Sequence, residues 1–179
     1  MKDWNVIVSI YQDGFMRALY ALQDFGRVER SPYYNVLVMT VEDPMAVLEA
    51  IEKRTEERPA LYDAISRVAP AMRSFEFHSA EEFKDKGKSI LLELSQRLTG
   101  RSFHVRLHRR GERHDLRTPD AERFFDDAVL EATTLAGMPA KISFTDPDVV
   151  IAIDTIDDRA GIALWTREDL TRHRLLRPD

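Results

Sequence analysis

The chain has 179 residues, of which 44% are hydrophobic, 7 are glycine, 8 are proline and none is cysteine. This composition is typical of a folded globular protein of one or two domains, and the lack of cysteine excludes disulfide frameworks, thiolate nucleophiles, zinc-thiolate sites and iron-sulfur clusters. The net charge is −5, and no stretch approaches the roughly 20 apolar residues of a membrane span, so we expect a cytoplasmic protein without membrane contact.

The first part of the chain predicts a strand-helix-strand-strand-helix-strand order. Apolar residues alternate in the strands and recur at helical spacing in the helices, and Asp43 followed by Pro44 marks a helix start. The predicted elements are a strand over residues 4–10, a helix over 15–25, strands over 28–30 and 35–41, a helix over 44–58, a short helical turn over 60–65 and a strand over 68–77. This order is that of a ferredoxin-like sandwich, so we predict a ferredoxin-like domain over residues 1–77.

The pattern restarts after Phe77 and predicts a second, α/β domain over residues 78–179. Ser79 and Glu82 form a capping pair ahead of an amphipathic helix that ends at Gly100. The elements that follow are a strand over 102–110, a helix capped by Thr118 or Asp120 and ending at Gly137, a strand over 141–144 that continues as 149–156, and a strand over 160–166. The fold class is therefore predicted to be α+β.

A concentrated basic strip lies in the second half. Between Arg97 and Arg117 there are seven arginines against two acids, which gives this window a net charge of +5 and leaves −10 for the rest of the chain. In the strand over 102–110, Phe103, Val105 and Leu107 alternate with His104, Arg106, His108 and Arg110. One face of this strand is thus predicted to enter the core and the other to be basic. Such a charge split suggests a polyanion as ligand, with nucleic acid as the first candidate.

Three segments of the second half resemble the THUMP domain, the RNA-binding module named for thiouridine synthases, RNA methylases and pseudouridine synthases. The segments are SFHVRLHRRGERHDL, KISFTDPDVVIAIDTI and RAGIALWTREDL. The turn Asp146-Pro147-Asp148 departs from the family's Asn-Pro-Asp type, and Asp154 stands where glutamate is commoner. A ferredoxin-like domain typically precedes the THUMP domain in that family, so the resemblance extends over nearly the whole chain.

The resemblance implies a role as a tRNA-binding adaptor. The family's catalytic domains usually lie on the same polypeptide, and this sequence ends at Asp179, which makes its layout similar to free-standing THUMP proteins that serve a tRNA cytidine acetyltransferase. It implies a non-catalytic protein without a cofactor that recognises the acceptor-stem end of tRNA and positions it for a separate modifying enzyme.

Phosphate binding is the role expected of the basic residues, because guanidinium groups donate paired hydrogen bonds to phosphate oxygens. The predicted RNA-binding residues are Arg106, Arg109, Arg110, Arg113, Arg117, Lys84 and Lys88. The alternative for the arginines is a solvated strand edge paired with neighbouring acids. For Lys84, Lys86 and Lys88 it is ordinary pairing along the helix with Glu81, Glu82 and Asp85.

Two alternative functions stay open. Asp146, Asp148 and Asp154 could bind Mg²⁺ in a nuclease or phosphotransferase, although turn positions explain the first two. A small-ligand regulatory module is the second alternative, since ferredoxin-like domains often serve that role. His104 and His108 lie about 13 Å apart on one strand, too far to share a metal ion. We predict no catalytic residue and no metal site, and we expect the basic C-terminal residues to form a frayed end.

Overall fold

A computed structural model describes residues 3–111 and 115–177 of the chain. These residues divide into two units, one formed from Met1–Met72 together with Asp169–Arg177, and the other from Arg73–Glu168. Within the described ranges no helix is long and apolar enough to cross a membrane.

The first unit has the ferredoxin-like topology that the sequence predicts. Its elements are β1 (Val6–Ile10), α1 (Phe15–Leu22), β2 (Arg27–Arg30), β3 (Val36–Thr40), α2 (Pro44–Glu57), α3 (Pro59–Tyr62) and β4 (Ile65–Pro70). The strands are antiparallel in the order β2-β3-β1-β4. Asp43 caps α2 by accepting hydrogen bonds from the N–H groups of Met45 and Ala46, and Pro44 stands at the first helical position.

The strand predicted over residues 68–77 is instead two strands in two different sheets. β4 ends at Pro70, and β5 (Arg73–Glu76) pairs with the last strand of the second unit. Proline has no N–H group to donate to a ladder, and the Ala71 N–H donates to the carbonyl of Asn5. The chain therefore leaves the first sheet at this point, although its apolar pattern continues.

The C-terminal segment is folded, so the expectation of a frayed end is wrong for the described residues up to Arg177. Leu175 is fully buried, and its carbonyl accepts a hydrogen bond from the Val68 N–H at the edge of β4. The Glu52 carboxylate lies 2.8 Å from Nδ1 of His173 and accepts a hydrogen bond from the Leu175 N–H. The segment thus belongs to the first unit, to which the chain returns after completing the second.

The second unit is a mixed five-stranded sheet with two long helices. Besides β5, its elements are α4 (Ala80–Leu94), β6 (Ser102–Arg110), α5 (Thr118–Leu135), β7 (Lys141–Ile142), β8 (Val149–Ile156), β9 (Arg159–Thr166) and the start of α6 (Arg167–Arg172). The strand order is β5-β9-β8-β6-β7, with β6 parallel to both β7 and β8. β7 and β8 do not form the single strand that was predicted.

Helices α4 and α5 cover one face of this second sheet. The Phe83 ring of α4 lies 5.9 Å from Phe75 of β5 and 5.6 Å from Phe125 of α5, measured between centroids. Because residues paired across a sheet share a face, the register places Phe103, Val105 and Leu107 on this helix-covered face. His104, Arg106, His108 and Arg110 lie on the opposite face, as the alternation predicts.

Candidate nucleic-acid interface

Strand β6 separates the three arginines that the sequence placed in one cluster. Arg106 is exposed on the face opposite the helices, whereas the register places Arg109 on the helix-covered face. The side chain of Arg110 is only 13% exposed, and its Nη1 lies 3.8 Å from Oδ1 of Asp154, whose side chain is 8% exposed. Arg110 is thus part of a mostly buried ion pair, and Arg106 is the most accessible of the three.

The remaining predicted residues lie on the helices or outside the described ranges. Lys84 of α4 places its Nζ 5.5 Å from the centroid of the Phe124 ring, and Lys88 is half-buried one turn further along the same helix. Arg117 precedes α5, is 78% exposed and has its Nε 3.7 Å from Oδ2 of Asp120. Arg113 lies outside the residues that the structure describes.

Several of these groups nevertheless meet at one end of the second unit. The Ala80 N–H at the start of α4 donates to Asp115, and the Leu107 N–H near the end of β6 donates to Glu122 of α5. Both helices therefore begin where β6 ends, and their N-terminal N–H groups add positive partial charge there. This end of the sheet carries Arg109, Arg117 and Lys84, beside the acidic residues Glu81, Glu82 and Asp120 in the first turns of the two helices. Lys86 is neutralised by Glu82, one turn away, as the alternative for the lysines predicted.

The carboxylates considered as metal ligands do not come together. Asp146 and Asp148 precede β8, where both form ion pairs with Arg167. Hydrogen bonds from the backbone N–H and the hydroxyl of Ser102 lower the pKa of Asp148. Asp154 lies six residues beyond Asp148, about 20 Å away along the strand. In the described ranges no three His, Asp or Glu side chains are grouped so that they could hold a metal ion.

Two carboxylates on α5, which the sequence pattern did not predict as functional, accept hydrogen bonds from the edge of β6. β7 pairs only with Ser102 and Phe103, so beyond them β6 has no strand neighbour on that side within the described part of the chain. The N–H groups that follow on this edge donate to side chains of α5, Val105 to Asp126 and Leu107 to Glu122. Burial, with the nearby Glu122 and Asp127, raises the pKa of Asp126 to about 6.

The model of one protein family matches this part of the chain. The family is the THUMP domain, and the match covers residues 77–164. These residues are a THUMP domain. The match begins just after β5 and ends within β9, so the THUMP sheet also includes β5, which comes from outside the matched segment.

Curated relatives match about two thirds of this chain. The tRNA sulfurtransferases of Escherichia coli (strain K12 / DH10B) and Shigella sonnei (strain Ss046) are both 26% identical to this chain over 136 residues. The match covers 69% of this chain and 27% of each relative. The chain therefore spans about a quarter of the length of these relatives.

Solved structures share the fold of both units. The protein PH1313 from Pyrococcus horikoshii is similar with a TM-score of 0.63 and 14% identity, over 89% of this chain and 53% of that one. A 4-thiouridine synthetase solved in complex with RNA and ATP is similar with a TM-score of 0.56 and 15% identity, over 91% of this chain and 41% of that one. At these identities the likeness shows the fold alone.

The THUMP domain also contains a buried histidine that the strand pattern had placed on an exposed basic face. His104 is only 6% exposed, and neither of its ring nitrogens has a hydrogen-bond partner among residues 3–111 and 115–177. Burial lowers its pKa, and the charge of Arg106 adds to this effect, so the imidazole is neutral at pH 7. The ring of Phe144, which is 68% exposed, stands edge-on to His104 with a centroid distance of 4.8 Å.

Proposed function

We propose that this chain is a non-catalytic tRNA-binding adaptor that positions tRNA for modification by a separate enzyme, such as a tRNA cytidine acetyltransferase. The observation that carries the proposal is the THUMP domain over residues 77–164, and 69% of the chain also matches proteins named tRNA sulfurtransferases. The similar fold of a 4-thiouridine synthetase in complex with RNA supports it.

The phosphate-binding surface in this proposal consists of Arg106 and the end of the sheet that carries Arg109, Arg117 and Lys84. Arg109, Arg117 and Lys84 lie where α4 and α5 begin, so the charges of these side chains and the N–H dipoles of the two helix starts act on the same region. Arg110 stabilises the scaffold instead, because its guanidinium pairs with the buried Asp154. The RNA-binding set that we retain is Arg106, Arg109, Arg113, Arg117, Lys84 and Lys88.

The geometry favours this role over the nuclease alternative. Asp146 and Asp148 are held by Arg167 and Ser102, and Asp154 by Arg110, so each carboxylate already has a structural partner. The distance of about 20 Å between Asp148 and Asp154 also prevents all three carboxylates from acting on one phosphate.

Salt dependence tests the binding surface directly. If the chain neutralises about four phosphates, the logarithm of its affinity for tRNA falls with the logarithm of salt concentration at a slope of about −3 to −4. Changing Arg106, Arg109 or Arg117 to Ala should flatten this slope by about 1 each. Arg27→Ala, an exposed arginine paired with Asp3 in the ferredoxin-like unit, is the matched control and should leave the slope unchanged. The proposal would be contradicted by an affinity for tRNA that does not change with salt concentration. It would also be contradicted if Arg27→Ala weakened tRNA binding as much as the changes at Arg106, Arg109 and Arg117.

The adaptor role has its own test. The purified chain incubated with tRNA and an acetyl donor should leave the tRNA unmodified, and a tRNA cytidine acetyltransferase should acetylate tRNA faster when the chain is added. The Arg106→Ala and Arg117→Ala variants should lose this stimulation in proportion to their lost tRNA affinity. Modification by the chain alone, or stimulation by variants that no longer bind tRNA, would rule the adaptor out.

A further inference from the structure

A patch of exposed apolar side chains lies at the end of α5 and along β7, the edge strand of the THUMP sheet. It consists of Leu135, Met138, Ile142 and Phe144, which are 82%, 58%, 37% and 68% exposed. At these fractions the four side chains offer about 400 Å² of apolar surface, a size at which a patch on a monomer is often an interaction site. We refer to these four residues as the β7 patch.

Hydrogen bonds fix the backbone that carries the β7 patch. The Met138 carbonyl accepts a hydrogen bond of 2.9 Å from the Gly100 N–H, shortly before β6 begins. The Ala140 N–H donates at 2.9 Å to the hydroxyl of Thr133, which is fully buried. A fixed segment therefore holds these apolar side chains in solvent, which is the arrangement of a preformed binding surface.

Polar groups within the β7 patch indicate the chemistry of its partner. The N–H groups of Lys141 and Ser143 both donate to carbonyls of β6. The N–H and carbonyl of Ile142, between them, therefore point away from β6, on a side where no further strand follows in the described part of the chain. The side chain of Lys141 is exposed and adds a positive charge. A complementary partner offers apolar side chains, backbone hydrogen-bonding groups and negative charge.

We propose that the β7 patch binds an extended segment of the separate modifying enzyme, one that carries apolar side chains and at least one carboxylate. This inference rests on the proposed function and names the surface through which the adaptor contacts its enzyme. The apolar side chains of the segment cover the patch, its backbone pairs with that of Ile142, and its carboxylate pairs with Lys141. An extended segment fits better than a helix, because the N–H and carbonyl groups of a helix are already bonded within it.

The size and position of the β7 patch favour an enzyme over RNA and over a second copy of the chain. Residues 135–144 contain one cation, Lys141, whereas RNA binding needs several. A stable dimer buries about 800 Å² on each partner, about twice what the patch offers, so the patch suits a transient complex. The patch lies at the end of α5, about 27 Å from Arg117 at its start. Enzyme and tRNA can therefore bind the chain together, as an adaptor requires.

Aspartate substitutions test the patch, with binding of the full chain to a purified tRNA cytidine acetyltransferase measured by calorimetry. Leu135→Asp and Phe144→Asp should each weaken the complex about tenfold or more, because burying a carboxylate against apolar side chains is costly. The stimulation of acetylation should fall in proportion, while tRNA affinity and its salt dependence stay as in wild type. Tyr34→Asp, which changes an exposed aromatic side chain of the ferredoxin-like unit, is the matched control and should bind the enzyme normally.

Two further changes test the chemistry of the partner. Ile142→Pro removes the outward N–H but no hydrogen bond to β6, so it should weaken the enzyme complex several-fold where Ile142→Val does not. Lys141→Glu should weaken the complex as well, because it reverses the charge that faces the partner's carboxylate. Both positions are exposed, so the urea transitions of these variants should stay close to that of wild type.

An enzyme complex that Leu135→Asp and Phe144→Asp leave intact would overturn this inference and leave the proposed function standing. The same loss of enzyme binding in Tyr34→Asp, or a loss of tRNA affinity in the patch variants, would also contradict it. A wild-type chain that sediments as a dimer, and as a monomer after Phe144→Asp, would assign the patch to a second copy instead. Wild type that binds tRNA but neither binds nor stimulates the enzyme would overturn the adaptor role together with this inference. Absence of tRNA binding would overturn the proposed function itself.

Discussion

Asp126 shows how a single buried carboxylate makes stability depend on pH. It accepts a hydrogen bond from the edge of β6, yet its pKa is raised from 3.8 to about 6 by burial and by the nearby Glu122 and Asp127. The folded state therefore holds the proton more tightly than the unfolded chain does. The stabilisation from this group is complete below pH 4 and is lost as the pH rises through 6.

Asp126→Asn should remove this dependence, because the amide cannot ionise and its oxygen can still accept from the Val105 N–H. We expect the variant to be more stable than wild type by about 2 kcal/mol at pH 8 and by less than half as much at pH 4.5. Urea unfolding at the two pH values measures the difference. Glu131→Gln, an exposed change on the same helix, should show no such trend. If Asp126→Asn changed the free energy of unfolding equally at both pH values, the raised pKa of Asp126 would be refuted.

Arg110 and Arg106 should differ in what they do, although the sequence presents them as equivalent. Arg110→Ala removes the guanidinium group that pairs with the buried carboxylate of Asp154 and should lower the free energy of unfolding by about 3 kcal/mol. Arg106→Ala removes an exposed side chain and should change that free energy by less than about 0.5 kcal/mol. Comparing both variants in urea checks this division. Similar stabilities would mean that Arg110 is not part of the scaffold.

At the level of elements, the two helices of the THUMP domain touch through a glycine. A Cβ atom on Gly87 of α4 would lie 2.7 Å from the Phe125 ring of α5. Alanine normally stabilises a helix by about 1 kcal/mol relative to glycine. Here the ring would have to move, and Phe125 is fully buried between the helices and the sheet.

Gly87→Ala should therefore destabilise the domain, by about 1–3 kcal/mol, despite the better helix propensity. Ser89→Ala, at an exposed position of the same helix, supplies the matched control and should be neutral or slightly stabilising. Thermal or urea unfolding of Gly87→Ala and Ser89→Ala compares the gain from helix propensity with the loss from packing against Phe125. If Gly87→Ala stabilised the domain, the Phe125 ring would be able to move aside without losing packing energy.

Sequence patterns predicted those elements whose bounds are set by residues close to them in the chain. Strand β6 occupies the predicted residues, because its alternation is interrupted on either side by Gly100 and Gly111, both with positive φ. The division of residues 68–77 between two sheets could not be predicted, since it depends on which strands lie beside them. The burial of His104 and Arg110 escaped prediction for the same reason. Alternation shows which face a residue occupies but not what covers that face.

At the level of the whole molecule, the chain ends in the unit where it began. Residues 169–177 belong to the ferredoxin-like unit, where the carboxylate of Glu52 holds His173 and the Leu175 N–H. Arg174 adds a hydrogen bond to Thr55 and lies over the Tyr62 ring. The apparent basic tail is thus a structural part of the first unit, and its contribution to stability can be assigned to that unit.

The two tryptophans allow this assignment to be tested, because Trp4 lies in the first unit and Trp165 in the second. Leu175→Ala empties a fully buried site and should cost about 2–4 kcal/mol. In Trp165→Phe and Trp4→Phe backgrounds, the urea transition reported by Trp4 should move to lower urea more than the one reported by Trp165. Arg172→Ala, which loses only an exposed ion pair with Glu49, should move neither. A shift confined to Trp165 would show that the C-terminal segment stabilises the THUMP domain instead.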